Sequence, residues 1–481
     1  MNKLQVQSLI LALLMTGTTL ASCGSSSTPS DTTAPSDDTT AADTGYQFPK
    51  YDGYEFKVLN IDDIFSMRGV IDPGETNGDY LNDAQYECVR KLEEETGVTF
   101  VETNIELQND FVPYFQNFIL AGDDAFDIAY MNQRDYYTFA SEGYLTNLLD
   151  TDGFNFGEEW WLNDFNGAIT FNDELLMARG YAQLMMCDAI TIMIFNKSMM
   201  DTLNLEAPYQ LVKDGKWTFD ALETYLKAAA NLNGDEAFKW TESGQCVWGM
   251  VLPNNTAGFF PGTGERYVEF VNGELVITCE NERFYNVAEK NAALISQTAD
   301  GLFCHAHFSG DDKPDSYVGI FENQRAMFGQ SEIAKTGRLR SADFTFGVLP
   351  HPKFDENQDR YYSSSSYPAS GVTIPVTVQN PTRSAELADA LNYLAKEMVW
   401  PVYREVTLDQ KNLRDEESIE MLDIILEASL PNYTSIFSLT GGSLFTEIAA
   451  KMRTGDGAIA STVAANISTL KEEVAKVNGK D

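Results

Sequence analysis

Between residues 54 and 130 the chain alternates between two periodicities, and this alternation limits what it can fold into more than any other feature. Tyr54-Glu55-Phe56-Lys57-Val58-Leu59 has the two-residue rhythm of a strand. Asn82 or Asp83 then caps a helix with apolar positions at Val89 and Leu92, ending at Gly97, where a left-handed cap is expected. Residues 98–101 form a second strand. Asp110 opens another helix with Pro113 in its first turn and Phe111, Phe115, Phe118 and Ile119 on one face, stopping at Gly122. Residues 126–130 form a third strand. This order predicts an α/β fold built on a mostly parallel sheet with helices on both faces. Ligands of such sheets sit beyond the carboxyl ends of the strands, where Asp62 and Asp63 follow the first strand and Arg134 and Asp135 the third.

The rest of the chain is large enough for more than one such unit. Its 481 residues, 43% hydrophobic and 12% aromatic, suggest two or three domain-sized bodies. The 33 Lys+Arg against 72 Asp+Glu give a formal charge of −39; without a basic run to offset it, this charge excludes nucleic acid as a partner. Lys3 and the apolar run at residues 9–15 form an export signal over residues 1–22, since the run is far shorter than the roughly 20 residues needed to cross a bilayer. The signal ends in Leu20-Ala21-Ser22-Cys23, which resembles the bacterial lipobox; the resemblance implies that Cys23 is diacylated and becomes the mature amino terminus. Two acyl chains anchor stably where one binds marginally. An ordinary secretory signal with an incidental Cys is the alternative. Residues 24–45, almost entirely Ser, Thr, Pro, Asp, Ala and Gly, lack the apolar side chains of a core and read as a flexible tether. Its r.m.s. reach is roughly 25 Å. The odd number and long spacings of Cys88, Cys187, Cys246, Cys279 and Cys304 favour buried single thiols over a disulfide framework or a zinc site.

Several segments in fixed order resemble one family. They are Lys91-Leu92-Glu93-Glu94-Glu95-Thr96-Gly97-Val98, Ala121-Gly122-Asp123-Asp124-Ala125-Phe126-Asp127-Ile128 and Ser141-Glu142-Gly143-Tyr144-Leu145. Ile194-Phe195-Asn196-Lys197, Lys216-Trp217-Thr218-Phe219-Asp220, Asn323-Gln324-Arg325-Ala326-Met327 and Phe346-Gly347-Val348-Leu349-Pro350 follow. Together they resemble the extracellular solute-binding proteins of ABC importers, the class that includes maltodextrin binders. Arg325 departs from the pattern, which has a small residue before the Ala-Met pair. The resemblance implies a two-lobed, periplasmic-binding-protein-like fold, each lobe a mostly parallel sheet flanked by helices, with three interlobe crossings near residues 181–187, 328–330 and 368–372. The expected lobes are 46–183 plus 329–369 and 184–328 plus 370–481, the latter ending in helices at residues 384–395, 418–430 and 461–477. Hinge closure over a ligand is the implied mechanism.

Carbohydrate is the favoured ligand class. A sugar needs carboxylates and amides for its hydroxyls and an aromatic platform for its ring. By position against sugar-binding relatives, the resemblance implies a site built from Asp62, Asp63, Arg134, Asp135, Asp188, Trp248, Gln330, Glu332 and Phe437, with no cofactor and no resident metal. Trp160 and Trp161 fit lobe-core packing better than a ligand platform. The calcium-loop-like Asn231-x-Asn233-x-Asp235 has Glu236 where Gly is needed, and His305-x-His307 lacks partner ligands nearby. The expected protein is a monomer that hands its ligand to permease subunits. A tethered glycosidase or lyase, which needs two carboxylates about 5–10 Å apart, and a subunit presenting ligand to a sensor kinase remain the rival readings.

Overall fold

The computed structural model describes residues 45–106, 110–307, 313–405 and 416–480. The export signal, Cys23 and residues 24–44 of the tether lie outside the described residues, and Phe48–Asp481 is one compact unit. It carries two principal sheets.

The first sheet begins as the sequence predicts. Strand β1 (Glu55–Ile61) pairs in parallel with β2 (Thr99–Ile105) and β3 (Ile128–Asn132). Helix α1 (Tyr80–Thr96) joins the first two and α2 (Phe111–Ala121) joins the next two. The cap of α1 is Asp79, upstream of the expected Asn82 or Asp83; its carboxylate accepts the N–H groups of Leu81 and Asn82 at 3.0 and 3.3 Å. Gly97 ends α1 at φ 76°, and a Cβ there would lie 2.1 Å from Asp52 Oδ1, so both conformation and space require glycine. In α2, Phe111, Phe115, Phe118 and Ile119 are the buried face, as the periodicity demands.

The second sheet is mixed. Its strands are β4 (Thr191–Asn196), β5 (Trp248–Pro253), β6 (Phe303–Ala306), β7 (Ala326–Glu332) and β8 (Phe346–Leu349), in the order β8-β4-β7-β5-β6. β5 runs parallel to β6 and β7, while β4 is antiparallel to β7 and β8. A last strand, β9 (Ser370–Thr373), returns to the first sheet and pairs antiparallel with β3, giving the order β9-β3-β1-β2.

These pairings redistribute the segments between the lobes. Residues 329–369 were expected in the first lobe, yet β7 and β8 belong to the second sheet; residues from 370 onward were expected in the second, yet β9 edges the first. Helix α3 (Phe219–Ala229) packs on β5, and α4 (Glu282–Ile295) also lies with the second sheet. Helix α5 (Pro381–Leu394) packs on α1, whereas α6 (Glu416–Glu427) packs on β8, and α7 (Leu444–Thr454) and α8 (Ile459–Val477) pack on α4. The chain therefore passes to the second sheet between Asp188 and Thr191 and back between Ser365 and Ser370. It leaves the first lobe again between Tyr403 and Glu416. The crossing expected at 328–330 falls inside an unbroken strand. An apolar run shows that it is buried but not which distant strand it pairs with.

Trp160 and Trp161 serve packing: both indole N–H groups donate to Asp389 Oδ1 of α5, at 3.0 and 2.8 Å. Among the described residues no helix is long and apolar enough to cross a membrane. Cys88, Cys187, Cys246, Cys279 and Cys304 are free thiols, all buried.

Candidate ligand cleft

Two loops follow the carboxyl ends of β1 and β3 in the first sheet. After β1 the chain turns sharply, with Phe65 and Ser66 both left-handed at φ 54° and 67°. Asp63 Oδ1 holds the turn by accepting the N–H groups of Gly69 and Val70 at 2.9 and 3.1 Å. A Cβ on Gly69 would lie 2.1 Å from Ile61 O, so the loop depends on that glycine. Desolvation raises the Asp63 carboxyl above its ordinary pKa, with the charges of Asp62 and Asp188 acting in the same direction. Asp62 stays exposed and accepts the Asp63 N–H at 2.8 Å.

After β3, Asn132 Oδ1 accepts the N–H groups of Arg134 and Asp135, both at 3.0 Å, and Asn132 Nδ2 donates to Asp135 Oδ2 at 2.6 Å. Asp135 in turn receives Arg134 Nε at 3.0 Å, and this bond is the main cause raising the Arg134 pKa. Asp135 thus orients Arg134. The guanidinium lies 4.6 Å over the ring of Tyr367, and Phe65 meets the same ring edge-on at 6.4 Å. Tyr367, on the return crossing, consequently gathers both loops at one place. Ser438 Oγ donates to Arg134 O at 2.6 Å and adds a tie from the carboxyl-terminal segment.

In the second sheet, Gln330 and Glu332 stand at the carboxyl end of β7. Gln330 is half-buried and accepts Thr256 Oγ1 at 3.1 Å. Glu332 pairs with Lys335 at 3.4 Å, and the buried Lys335 donates to Tyr317 Oη at 2.6 Å. Carboxylates, a guanidinium, amides and the exposed Phe65 thus stand at or just beyond the carboxyl ends of these strands, and groups of this kind can serve as donors and acceptors for a polyhydroxylated ligand. Among the described residues no cluster of three or more His, Cys, Asp or Glu has a metal-binding arrangement; Asp235 of the calcium-like segment instead accepts the N–H groups of Gln245 and Cys246.

Three expected site residues are engaged elsewhere. Asp188 is fully buried at the first crossing, where Arg68 donates to it from its backbone N and from Nε, both at 2.8 Å, and Tyr403 Oη donates at 2.9 Å. It clasps the hinge because Arg68, 120 residues upstream, takes its carboxylate. Trp248 stands at the amino end of β5, the end away from the cleft, 4% exposed and packed 5.0 Å from Phe238. Phe437 is buried among Tyr137, Phe171, Phe270 and Tyr433, stacked on Phe270 at 6.4 Å, and presents no open face. Arg68, Phe65 and Tyr367 were missed at the sequence level. Only the polar, Tyr-rich run at residues 361–367 carried a signal for any of them.

No family model and no curated protein matches the sequence. Solved structures match the fold. A cyclo/maltodextrin-binding protein complexed with maltotetraose superposes with TM-score 0.60 at 14% identity, covering 88% of this chain and 98% of that one. An ABC substrate-binding protein from Listeria monocytogenes in complex with cycloalternan gives TM-score 0.53 at 15% identity, covering 89% and 100%. UgpB from Mycobacterium tuberculosis, in complex with glycerophosphocholine, gives TM-score 0.55 at 15% identity, covering 89% and 100%. The chain has the α/β fold of these ABC substrate-binding proteins, the periplasmic-binding-protein fold.

Proposed function

We propose that this chain is the substrate-binding subunit of an ABC importer. It is a monomer, lipid-anchored through Cys23 on the outer face of a bacterial membrane, which captures a carbohydrate by hinge closure and hands it unaltered to permease subunits. The observation that carries this reading is the meeting of the β1 and β3 loops, with Asp62, Asp63, Arg134 and Asp135, around Tyr367 on the return crossing. Gln330 and Glu332 complete the contact set from the second sheet. Substrate-binding proteins, not enzymes, are the structural neighbours, and this supports a binding role over hydrolysis.

A thermal-shift screen over oligosaccharides tests the ligand class, since a ligand at 100 times its Kd adds about 2.7 kcal/mol of stability. At least one sugar should raise the melting temperature, and Asp62→Ala and Arg134→Ala should each weaken that response. Both variants binding like the wild type would misplace the site. Release of reducing ends above background from the same sugars would overturn the binding role. Cys23→Ser should abolish incorporation of a labelled fatty acid and release the protein from the membrane fraction.

A further inference from the structure

A cavity lies beside the first crossing. It measures about 460 Å³ and takes its walls from both lobes: Trp161, Phe165, Arg179 and Tyr181 on one side, Trp400 and Glu427 among those completing it. None of the proposed sugar-binding residues lines it.

Arg179 is the unusual member. It is 4% exposed, and Nη2 donates to Gln133 Oε1 at 3.1 Å while the guanidinium sits 3.9 Å over the Phe165 ring. Its Nε is buried with no hydrogen-bond partner, and among the described residues no Asp or Glu pairs with it. One neutral amide and one ring face do not offset the cost of withdrawing a cation from water. Desolvation accordingly pulls its pKa down to about 9. A guanidinium has five N–H donors in a fork that suits a carboxylate. The exposed Asp164 and Glu427 make the rim acidic, so the outer part of an occupant must offer hydrogen-bond donors or stay neutral.

We propose that this hinge cavity binds a ring-borne carboxylate, its anionic group paired with Arg179 and its ring against the aromatic wall of Tyr181 and Trp400. Hexuronic acids and aromatic acids share this chemistry. Isothermal titration calorimetry of the full chain with D-glucuronate, benzoate and D-glucose separates the two sources. At least one carboxylate should bind saturably, and any glucose binding should be untouched by Leu426→Trp; a response to glucuronate alone identifies a sugar acid, and a response to benzoate alone an aromatic acid. Arg179→Gln should weaken binding roughly 10- to 100-fold, as for loss of a charged hydrogen-bond partner. Leu426→Trp, at the half-exposed rim, should block entry without touching Arg179, and so keeps the test decisive if Arg179→Gln does not fold. Asp62→Ala should leave the carboxylate response unchanged, so failure of the sugar site and failure of this one are distinguishable. No binding of either carboxylate, glucose binding that Leu426→Trp abolishes along with the carboxylate response, or unchanged affinity in both cavity variants would overturn the proposal.

Discussion

At the scale of single residues, the sharpest consequences come from charge in dry surroundings. His351 is completely buried, neither ring nitrogen has a hydrogen-bond partner, and desolvation pulls its pKa down to about 4 from an ordinary 6.5. Above pH 6.5 the ring is neutral whether the chain is folded or not, so it makes no pH-dependent contribution there. Between pH 6.5 and 4 the unfolded chain takes up a proton that the folded chain refuses, and stability falls as pH falls through that window. From pH 7 to pH 5 this one group should cost about 2 kcal/mol. Urea titrations of wild type and His351→Leu at both pH values should show that difference disappearing in the variant. Asp188 gives the complementary case. Arg68→Met would strand its buried carboxylate and should destabilise by about 3–5 kcal/mol in urea unfolding; a loss under 1 kcal/mol would mean that the clasp is not structural. The same residues mark how far the site was legible. The places of Asp62, Asp63, Arg134 and Asp135 beyond the ends of β1 and β3 were readable because they need only local periodicity. Asp188 was misread because its partner is 120 residues away.

At the scale of elements, the helix ends carry separable contributions. Asp79→Ala removes the cap of α1 and should cost about 1 kcal/mol. Gly97→Ala at the other end should cost more, because a methyl group meets Asp52 in addition to the left-handed strain. Differential scanning calorimetry should rank the two variants in that order; the reverse would mean that Asp52 moves aside freely. The first three strands and the faces of α1 and α2 were readable because each is set by neighbours within a few residues. Membership of β7, β8 and β9 was not, because insertion into one sheet or the other leaves no local mark on four to seven residues. Trp248 was misplaced for a related reason: a strand's composition does not reveal which of its ends faces the cleft.

At the scale of the whole molecule, the seam of Tyr137 and Phe171 with Phe270, Tyr433 and Phe437 joins side chains from the two lobes. Phe437→Ala should destabilise by about 3–5 kcal/mol. Because the seam bridges the two lobes, small-angle scattering should also register a larger radius of gyration without ligand. An unchanged radius would assign the seam to core packing alone.

The return of β9 to the first sheet has a consequence in time. Thr373 Oγ1 meets Ala129 O at 2.8 Å across a separation of 244 residues. A ribosome adding about 5–20 residues per second takes roughly 10–50 s over that distance. A chain that paired β1 with β3 within that interval would leave one margin of the N–H and C=O groups of β3 unmatched, open to pairing with any passing strand. Whatever shields the polypeptide from such encounters must act before residue 373 is synthesised.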